Sequence, residues 1–142
     1  MSLKTISVVL GFGFGIATTT PPSAFATETG AFDGLWNVTV ACSDVGDVKG
    51  YHWHFPARVR SGELSGRIDN PDTSWGALSG KIENDGTARL TMVGNTGDPV
   101  YSIAHVKVGS AINYHVNAHF DAQSGSGKRV ELRPCDLTFT KN

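Results

Sequence analysis

Residues 36–42 read WNVTVAC, an alternation of apolar and polar side chains that ends in a cysteine. Residues 135–139 read CDLTF, the same alternation beginning from a cysteine. A period of two is typical of a strand with one buried and one exposed face. An antiparallel pair that places the two cysteines opposite each other also places Val38 opposite Phe139, so that apolar residues face apolar residues. The two stretches predict neighbouring strands that a disulfide joins.

Cys42 and Cys135 are the only cysteines of the chain. An even count with no remaining thiol favours a disulfide in an exported protein, and two independent buried thiols are the alternative. We expect the bond to join the first strand to the last.

Clusters of Gly, Pro, Asn, Asp and Ser divide the chain after residue 34 into alternating segments, and none of these segments has a helical period. The predicted strands are residues 35–42, 50–60, 63–69, 76–82, 87–93, 100–107, 112–121 and 128–140. The last segment changes its apolar face at Pro134, which predicts a β-bulge there because proline cannot donate to a strand ladder.

These patterns predict an all-β fold, a single antiparallel eight-stranded up-and-down barrel closed by the disulfide between the first and last strands. Strands of this length and spacing also occur in two-sheet sandwiches, which remain the alternative architecture.

The N-terminus has the order of a secretory signal peptide. Lys4 provides a basic start, residues 7–17 are apolar, and Ala24-Phe25-Ala26 matches the usual cleavage motif. We therefore expect residues 1–26 to be a signal peptide and residues 27–142 to be the barrel domain of a secreted or periplasmic protein. The apolar run is shorter than the roughly 20 residues of a membrane span, and a retained N-terminal anchor is the alternative.

Charge argues against a nucleic-acid partner. Residues 1–26 contain Lys4 and no acidic residue, so 11 of the 12 basic side chains remain after cleavage, against 13 acidic ones. Nucleic acids and anionic membranes call for clustered basic residues, and the only adjacent basic pair is Lys128-Arg129.

Gly34-Leu35-Trp36 resembles the G-x-W signature of the lipocalin and avidin group of eight-stranded barrels, the calycins. The resemblance implies the same barrel. The chain departs from lipocalins in lacking a helical segment after the last strand, and from avidins in lacking their polar run after the tryptophan, so no biotin site is implied.

A wider resemblance, which brings no activity with it, links the chain to small exported bacterial proteins without assigned function. Its motifs are Phe32-Asp33-Gly34-Leu35-Trp36, Gly50-Tyr51, Phe55-Pro56-Ala57, Tyr114-His115-Val116 and Arg129-Val130-Glu131-Leu132-Arg133-Pro134-Cys135.

Aromatic residues give the main ligand hypothesis. Trp36, Trp53, Phe55 and Tyr114 fall on the inward face of their strands, where several other residues are small. Such a mixture either interdigitates into a filled core or lines a pocket, and both outcomes stay open. We expect these four residues to bind ligand if a pocket exists.

Other chemistry has little support in the sequence. His52 with His54, and His115 with His119, share polar strand faces, but exposed strand residues explain them and we expect no metal site. Glu131 lies between Arg129 and Arg133, whose charges are expected to favour its ionised form. The two arginines are alternatively an anion clamp at the barrel rim.

No catalytic motif is present, and most aspartates sit in turns, where they cap the backbone. We expect a protein that is not an enzyme and has no cofactor, and that binds a small apolar or aromatic molecule. The alternative is an interaction module, such as an inhibitor of an extracellular hydrolase like lysozyme, that acts through loops 43–50, 94–100 and 122–127.

Overall fold

The computed structural model describes residues 30–142. The predicted signal peptide, residues 1–26, lies outside the described residues. Eight strands follow one another along the chain: Gly34–Cys42 (β1), Tyr51–Arg60 (β2), Glu63–Asp69 (β3), Trp75–Lys81 (β4), Thr87–Asn95 (β5), Ala111–Phe120 (β6), Ser124–Arg129 (β7) and Cys135–Lys141 (β8). Each strand pairs antiparallel with the next, and β1 pairs with β8, so the sheet is a closed barrel.

The disulfide joins Cys42 at the end of β1 to Cys135 at the start of β8. The predicted register is confirmed, since the two cysteines are ladder partners and Val38 is the partner of Phe139. All four side chains are buried. The closed sheet rules out the two-sheet sandwich.

Aromatic rings fill one end of the barrel. The ring of Phe120 lies 5.4 Å from that of Trp36 and 4.6 Å from that of Phe139. Phe32, just before β1, covers this cluster, with its ring 6.3 Å from Phe120 and its carbonyl accepting a 2.8 Å hydrogen bond from Trp36 Nε1. This end, which we call the closed end, is a packed core.

The predicted strand at residues 100–107 is wrong. Residues Pro99–Tyr101 and Ile103–His105 form two short 3₁₀ turns inside the long connection from β5 to β6. Asp98 accepts a hydrogen bond from the backbone N–H of Val100 at 2.9 Å and so starts the first turn. Ala104 and His105 both have positive φ, 59° and 46°, which is incompatible with a strand.

The predicted strand at residues 128–140, with its bulge at Pro134, is also wrong. It is divided between β7 and β8, and residues 130–134 form the loop between them. Leu132 has a φ of 68° and is 78% exposed, so it does not continue an inward apolar face. The number of strands was right because these two errors offset each other, and the other six strands lie within two residues of their predicted bounds.

Candidate ligand-binding cavity at the barrel mouth

Four connections lie at the same end of the barrel because consecutive strands alternate in direction. They are residues 43–50, 70–74, 96–110 and 130–134. We call this the open end. Beneath these connections lies a cavity of about 530 Å³. Its position is opposite the packed aromatic cluster of the closed end.

The barrel wall contributes an apolar surface to the cavity. Tyr51 and Trp53 come from β2, and Ile112 and Tyr114 come from β6. The rings of Tyr51 and Trp53 lie 5.1 Å apart and are tilted against each other. Two strands that are not neighbours in the barrel therefore present apolar and aromatic side chains to one space.

The 96–110 connection covers part of this space. Tyr101, Ile103 and Val106 line the cavity from above, and Leu132 adds a further apolar side chain from the 130–134 loop. Tyr101 and Val106 are 43% and 38% exposed, so these side chains bridge the cavity and the outer surface.

The four aromatic residues of the ligand hypothesis fall into two pairs. Trp53 and Tyr114 line the cavity, whereas Trp36 and Phe55 do not. Trp36 is fully buried at the closed end and Phe55 is 5% exposed in the core. The filled core and the pocket are therefore both present, at different depths of the barrel.

Arg133 ties three segments of the open end together. Its guanidinium donates hydrogen bonds to the carbonyl of Tyr101 at 2.9 Å, to that of Lys49 at 3.1 Å and to that of Ser43. The side chain is 3% exposed. A buried arginine that donates to three carbonyls fixes the 43–50 and 96–110 connections to the loop from which it comes.

Arg129 stacks on Tyr114 inside the cavity. Its guanidinium carbon lies 3.8 Å from the centre of the Tyr114 ring, a cation–π arrangement. Tyr114 is 1% exposed. Burial, reinforced by the neighbouring Tyr51 hydroxyl, raises the pKa of Tyr114 far above its usual range, so that its hydroxyl stays protonated.

Glu131 is ionised for a different reason from the one expected. Hydrogen bonds from His115, first from its backbone N–H and then from its ring, lower the pKa of Glu131. Arg129 and Arg133, the flanking cations of the sequence argument, are turned into the cavity and are not the cause. The expected direction of the shift is right and its expected cause is wrong.

The histidines are dispersed. His54 Nδ1 lies 3.0 Å from the Thr39 hydroxyl, and His119 Nε2 lies 3.8 Å from an Asp121 carboxylate oxygen. His52 is at the edge of the cavity. Within residues 30–142, no group of three or more His, Cys, Asp and Glu side chains is arranged to hold a metal ion.

Sequence reasoning missed the part of the cavity that comes from the 96–110 connection. Ile103 and Val106 were assigned to a strand, whereas they belong to the cover of the cavity. Asp98-Pro99 indicates a turn, but a turn alone does not show that the apolar residues after it lie outside the sheet.

The chain is a small β-barrel, closed by a disulfide, with a packed core at one end and a cavity at the other. No protein-family model matches it, and no curated protein or solved structure matches it significantly. The resemblance of Gly34-Leu35-Trp36 to the calycin signature stays a prediction.

Proposed function

We propose that the protein is an exported, non-enzymatic binding protein that holds a small apolar or aromatic molecule at the barrel mouth. The observation that carries the proposal is the cavity of about 530 Å³ between Trp53, Tyr114 and Ile103. Ligand pockets typically measure about 300–1,000 Å³, with mostly apolar walls and a few polar groups. This cavity has that size and composition.

The proposal of export rests on the signal-peptide pattern of residues 1–26 and on the disulfide, which is typical of oxidising compartments. Both are compatible with a secreted or periplasmic location. Among residues 30–142, no helix has the length and apolar character needed to cross a membrane.

The carboxylates around the cavity favour binding over catalysis. Asp72 accepts hydrogen bonds from the hydroxyl of Ser74 and, as the smaller cause, from its backbone N–H, and both hold the pKa of Asp72 below the usual range. Asp98 accepts from Val100 N–H. Both carboxylates of the lining therefore act within their own turns, where proton transfer to a ligand is disfavoured.

Titration with N-phenyl-1-naphthylamine, a neutral probe whose emission rises in apolar surroundings, tests this proposal. The wild-type protein is expected to enhance its emission saturably. Ile103→Asp places a charge against the cavity and is expected to weaken binding by about ten-fold or more. Val93→Asp is the matched control, because Val93 is 39% exposed on the outer face of β5. Absence of binding, or equal binding by both variants, contradicts the proposal.

A second candidate function is the loop-mediated interaction module, for example an inhibitor of an extracellular hydrolase. It is favoured by exposed apolar side chains on the open-end loops, including Val45 (36%) and Val108 (53%). Loops 43–50 and 94–100 reach this end, whereas residues 124–127 of the third expected loop belong to β7, which starts at the opposite end.

Inhibition of purified lysozyme tests the second candidate. Val108→Asp is expected to abolish inhibition and to leave naphthylamine binding intact, since Val108 does not line the cavity. Failure of the wild-type protein to inhibit removes this hydrolase from the candidates and leaves the binding proposal unaffected.

A further inference from the structure

Three buried side-chain atoms have no hydrogen-bond partner among residues 30–142: Tyr114 Oη, Arg129 Nε and Arg133 Nε. All three residues line the same cavity. Buried polar groups in folded proteins are normally paired, because an unpaired donor loses its hydrogen bonds to water without replacement. Because these three unpaired polar atoms belong to residues of one cavity, they indicate a binding site for a polar group of a ligand.

Within residues 30–142, the two arginines of this site form no direct ion pair. Neither Arg129 nor Arg133 takes part in any of the ion pairs found among the described residues. The acidic residues of the cavity lining are Asp72 and Asp98, and each accepts hydrogen bonds inside its own turn. The lining therefore holds two arginines and two aspartates, but neither arginine is paired with a carboxylate among the described residues, so an anion in the cavity would gain a direct partner in Arg129.

The donors are also held in place before a ligand arrives. The guanidinium of Arg129 stacks on the Tyr114 ring at 3.8 Å, and Arg133 is fixed by the carbonyls of Tyr101, Ser43 and Lys49. Fixed donors lose little conformational entropy on binding. The Tyr114 hydroxyl and the Arg129 Nε–H are buried and unpaired among the described residues, with the Tyr51 hydroxyl close to both.

We infer that the ligand is an aromatic carboxylate, whose ring system lies against Trp53 and whose carboxylate accepts hydrogen bonds from Arg129 and Tyr114. This inference rests on the proposed function and adds the chemical class of the molecule. A carboxylate only accepts hydrogen bonds, which matches two donors, and a planar guanidinium suits its geometry. Because burial keeps Tyr114 protonated, this donor is present throughout the physiological pH range.

The test uses two ligands of nearly the same shape, 1-naphthaleneacetate and the neutral 1-naphthaleneacetamide, each displacing N-phenyl-1-naphthylamine at pH 7. The wild-type protein is expected to bind the acetate about ten-fold or more tightly than the amide, the usual scale of a charge-assisted hydrogen bond. Arg129→Gln removes the charge and is expected to bring the acetate-to-amide affinity ratio close to one; this ratio is the readout, so a change shared by both ligands does not affect it.

Two further variants make the result specific. Tyr114→Phe removes only the unpaired hydroxyl, so it is expected to fold and to lower the acetate-to-amide affinity ratio below that of the wild type. Arg58→Gln is the matched control for the loss of charge, because Arg58 is exposed on the outer face of β2. It is expected to keep the full preference. Thermal melting of each variant verifies that it is folded.

The outcomes separate this inference from the proposed function. Equal binding of acetate and amide by the wild-type protein overturns the carboxylate inference and leaves the binding function standing. A preference that persists in both Arg129→Gln and Tyr114→Phe overturns the assigned site. If the naphthylamine itself does not bind, the proposed function fails and the inference fails with it.

Discussion

Glu131 holds His115 at two points. Its Oε2 accepts a hydrogen bond from the backbone N–H of His115 at 2.7 Å, and its Oε1 lies 2.6 Å from Nδ1 of the His115 ring. The backbone N–H of Val130 donates to the His115 carbonyl at 2.9 Å. The 130–134 loop is thus fastened to β6 just before Leu132 and Arg133 reach the cavity.

Glu131→Gln is predicted to make the melting temperature of the protein less sensitive to acidic pH. The hydrogen bonds from His115 lower the pKa of Glu131 from its ordinary 4.5. A carboxyl group with a lowered pKa stabilises the folded state at any pH above its ordinary pKa. This stabilisation is lost as the pH falls through the pKa of the group in the folded protein. The melting temperature of the variant is therefore expected to fall less than that of the wild type below pH 4.5.

Asp121→Asn is the control for this experiment, because Asp121 lies 3.8 Å from His119 without a hydrogen bond and is exposed. Thermal melts at several pH values between neutral and acid provide the measurement. Parallel curves for wild type and Glu131→Gln would show that the two hydrogen bonds do not anchor the loop.

Reduction of the disulfide is predicted to destabilise the barrel strongly. The bond closes a segment with a sequence separation of 93 residues. On the chain-entropy account, a cross-link over a loop of this length stabilises the folded state by about 4–5 kcal/mol, which corresponds to roughly 10–25 °C in melting temperature for a domain of this size.

Calorimetry with and without dithiothreitol measures this effect, and a Cys42→Ala/Cys135→Ala double variant is the control. The double variant is expected to melt at the lower temperature in both conditions. A wild-type transition that does not move on reduction would contradict a stabilising role for the bond.

The register of β1 and β8 was predictable because several independent requirements agree on it. A shift of β8 by one residue against β1 would turn Phe139 toward solvent and would separate the cysteines. Wherever a strand has an apolar inner face, its bounds followed from the period of two, as in β1 and β6.

β7 was missed because its inner face carries two glycines and an arginine, with no apolar side chain. A Cβ at Gly125 would lie 2.9 Å from a ring carbon of Phe120, and one at Gly127 would lie 2.9 Å from Cγ1 of Val116. These glycines leave room for large side chains of β6, so the strand carries no apolar alternation. In the sequence, the same Ser-Gly-Ser-Gly pattern is typical of a turn.

Gly127→Ala is predicted to destabilise the protein by about 1–3 kcal/mol, because an added methyl group overpacks the core. The new Cβ would meet Val116 Cγ1 at 2.9 Å and Ala118 Cβ at 3.0 Å. Ser126→Ala is the matched control, since Ser126 is exposed on the same strand. Urea denaturation of both variants measures the difference, and equal midpoints would mean that β7 does not pack against β6 as described.

The cavity was only partly predictable for a related reason. Trp53 and Tyr114 were found because they alternate with polar residues on regular strands. Arg129 and Arg133 were named as a possible anion clamp, but the three backbone carbonyls to which Arg133 donates leave no pattern in the sequence. Residues 96–110 cover the cavity through two 3₁₀ turns, whose apolar residues happen to be spaced as in a strand. The sequence pattern therefore predicted a strand there.

His105 connects the cover of the cavity to the neighbouring loop. Its Nε2 lies 2.9 Å from the carboxylate of Asp47, and its Nδ1 lies 3.1 Å from the carbonyl of Pro99. A protonated imidazole donates both bonds. The hydrogen bond with Asp47 raises the pKa of His105 and lowers that of Asp47.

This connection is predicted to slow ligand release at mildly acidic pH. Because the pKa of His105 is raised, the stabilisation that its protonated ring gives to this contact is complete below the ordinary pKa of 6.5. This stabilisation is lost as the pH rises through the pKa of His105 in the folded protein. The stabilisation from the Asp47 carboxylate is complete above its ordinary pKa of 3.8.

Release of N-phenyl-1-naphthylamine, followed by stopped-flow fluorescence, is expected to be slower at pH 6 than at pH 8.5. Asp47→Asn should remove the difference and bring the His105 pKa, measured by NMR, back toward 6.5. His119→Gln, at the closed end, should retain both effects, and release rates that do not change with pH would show that this contact does not restrain the cover.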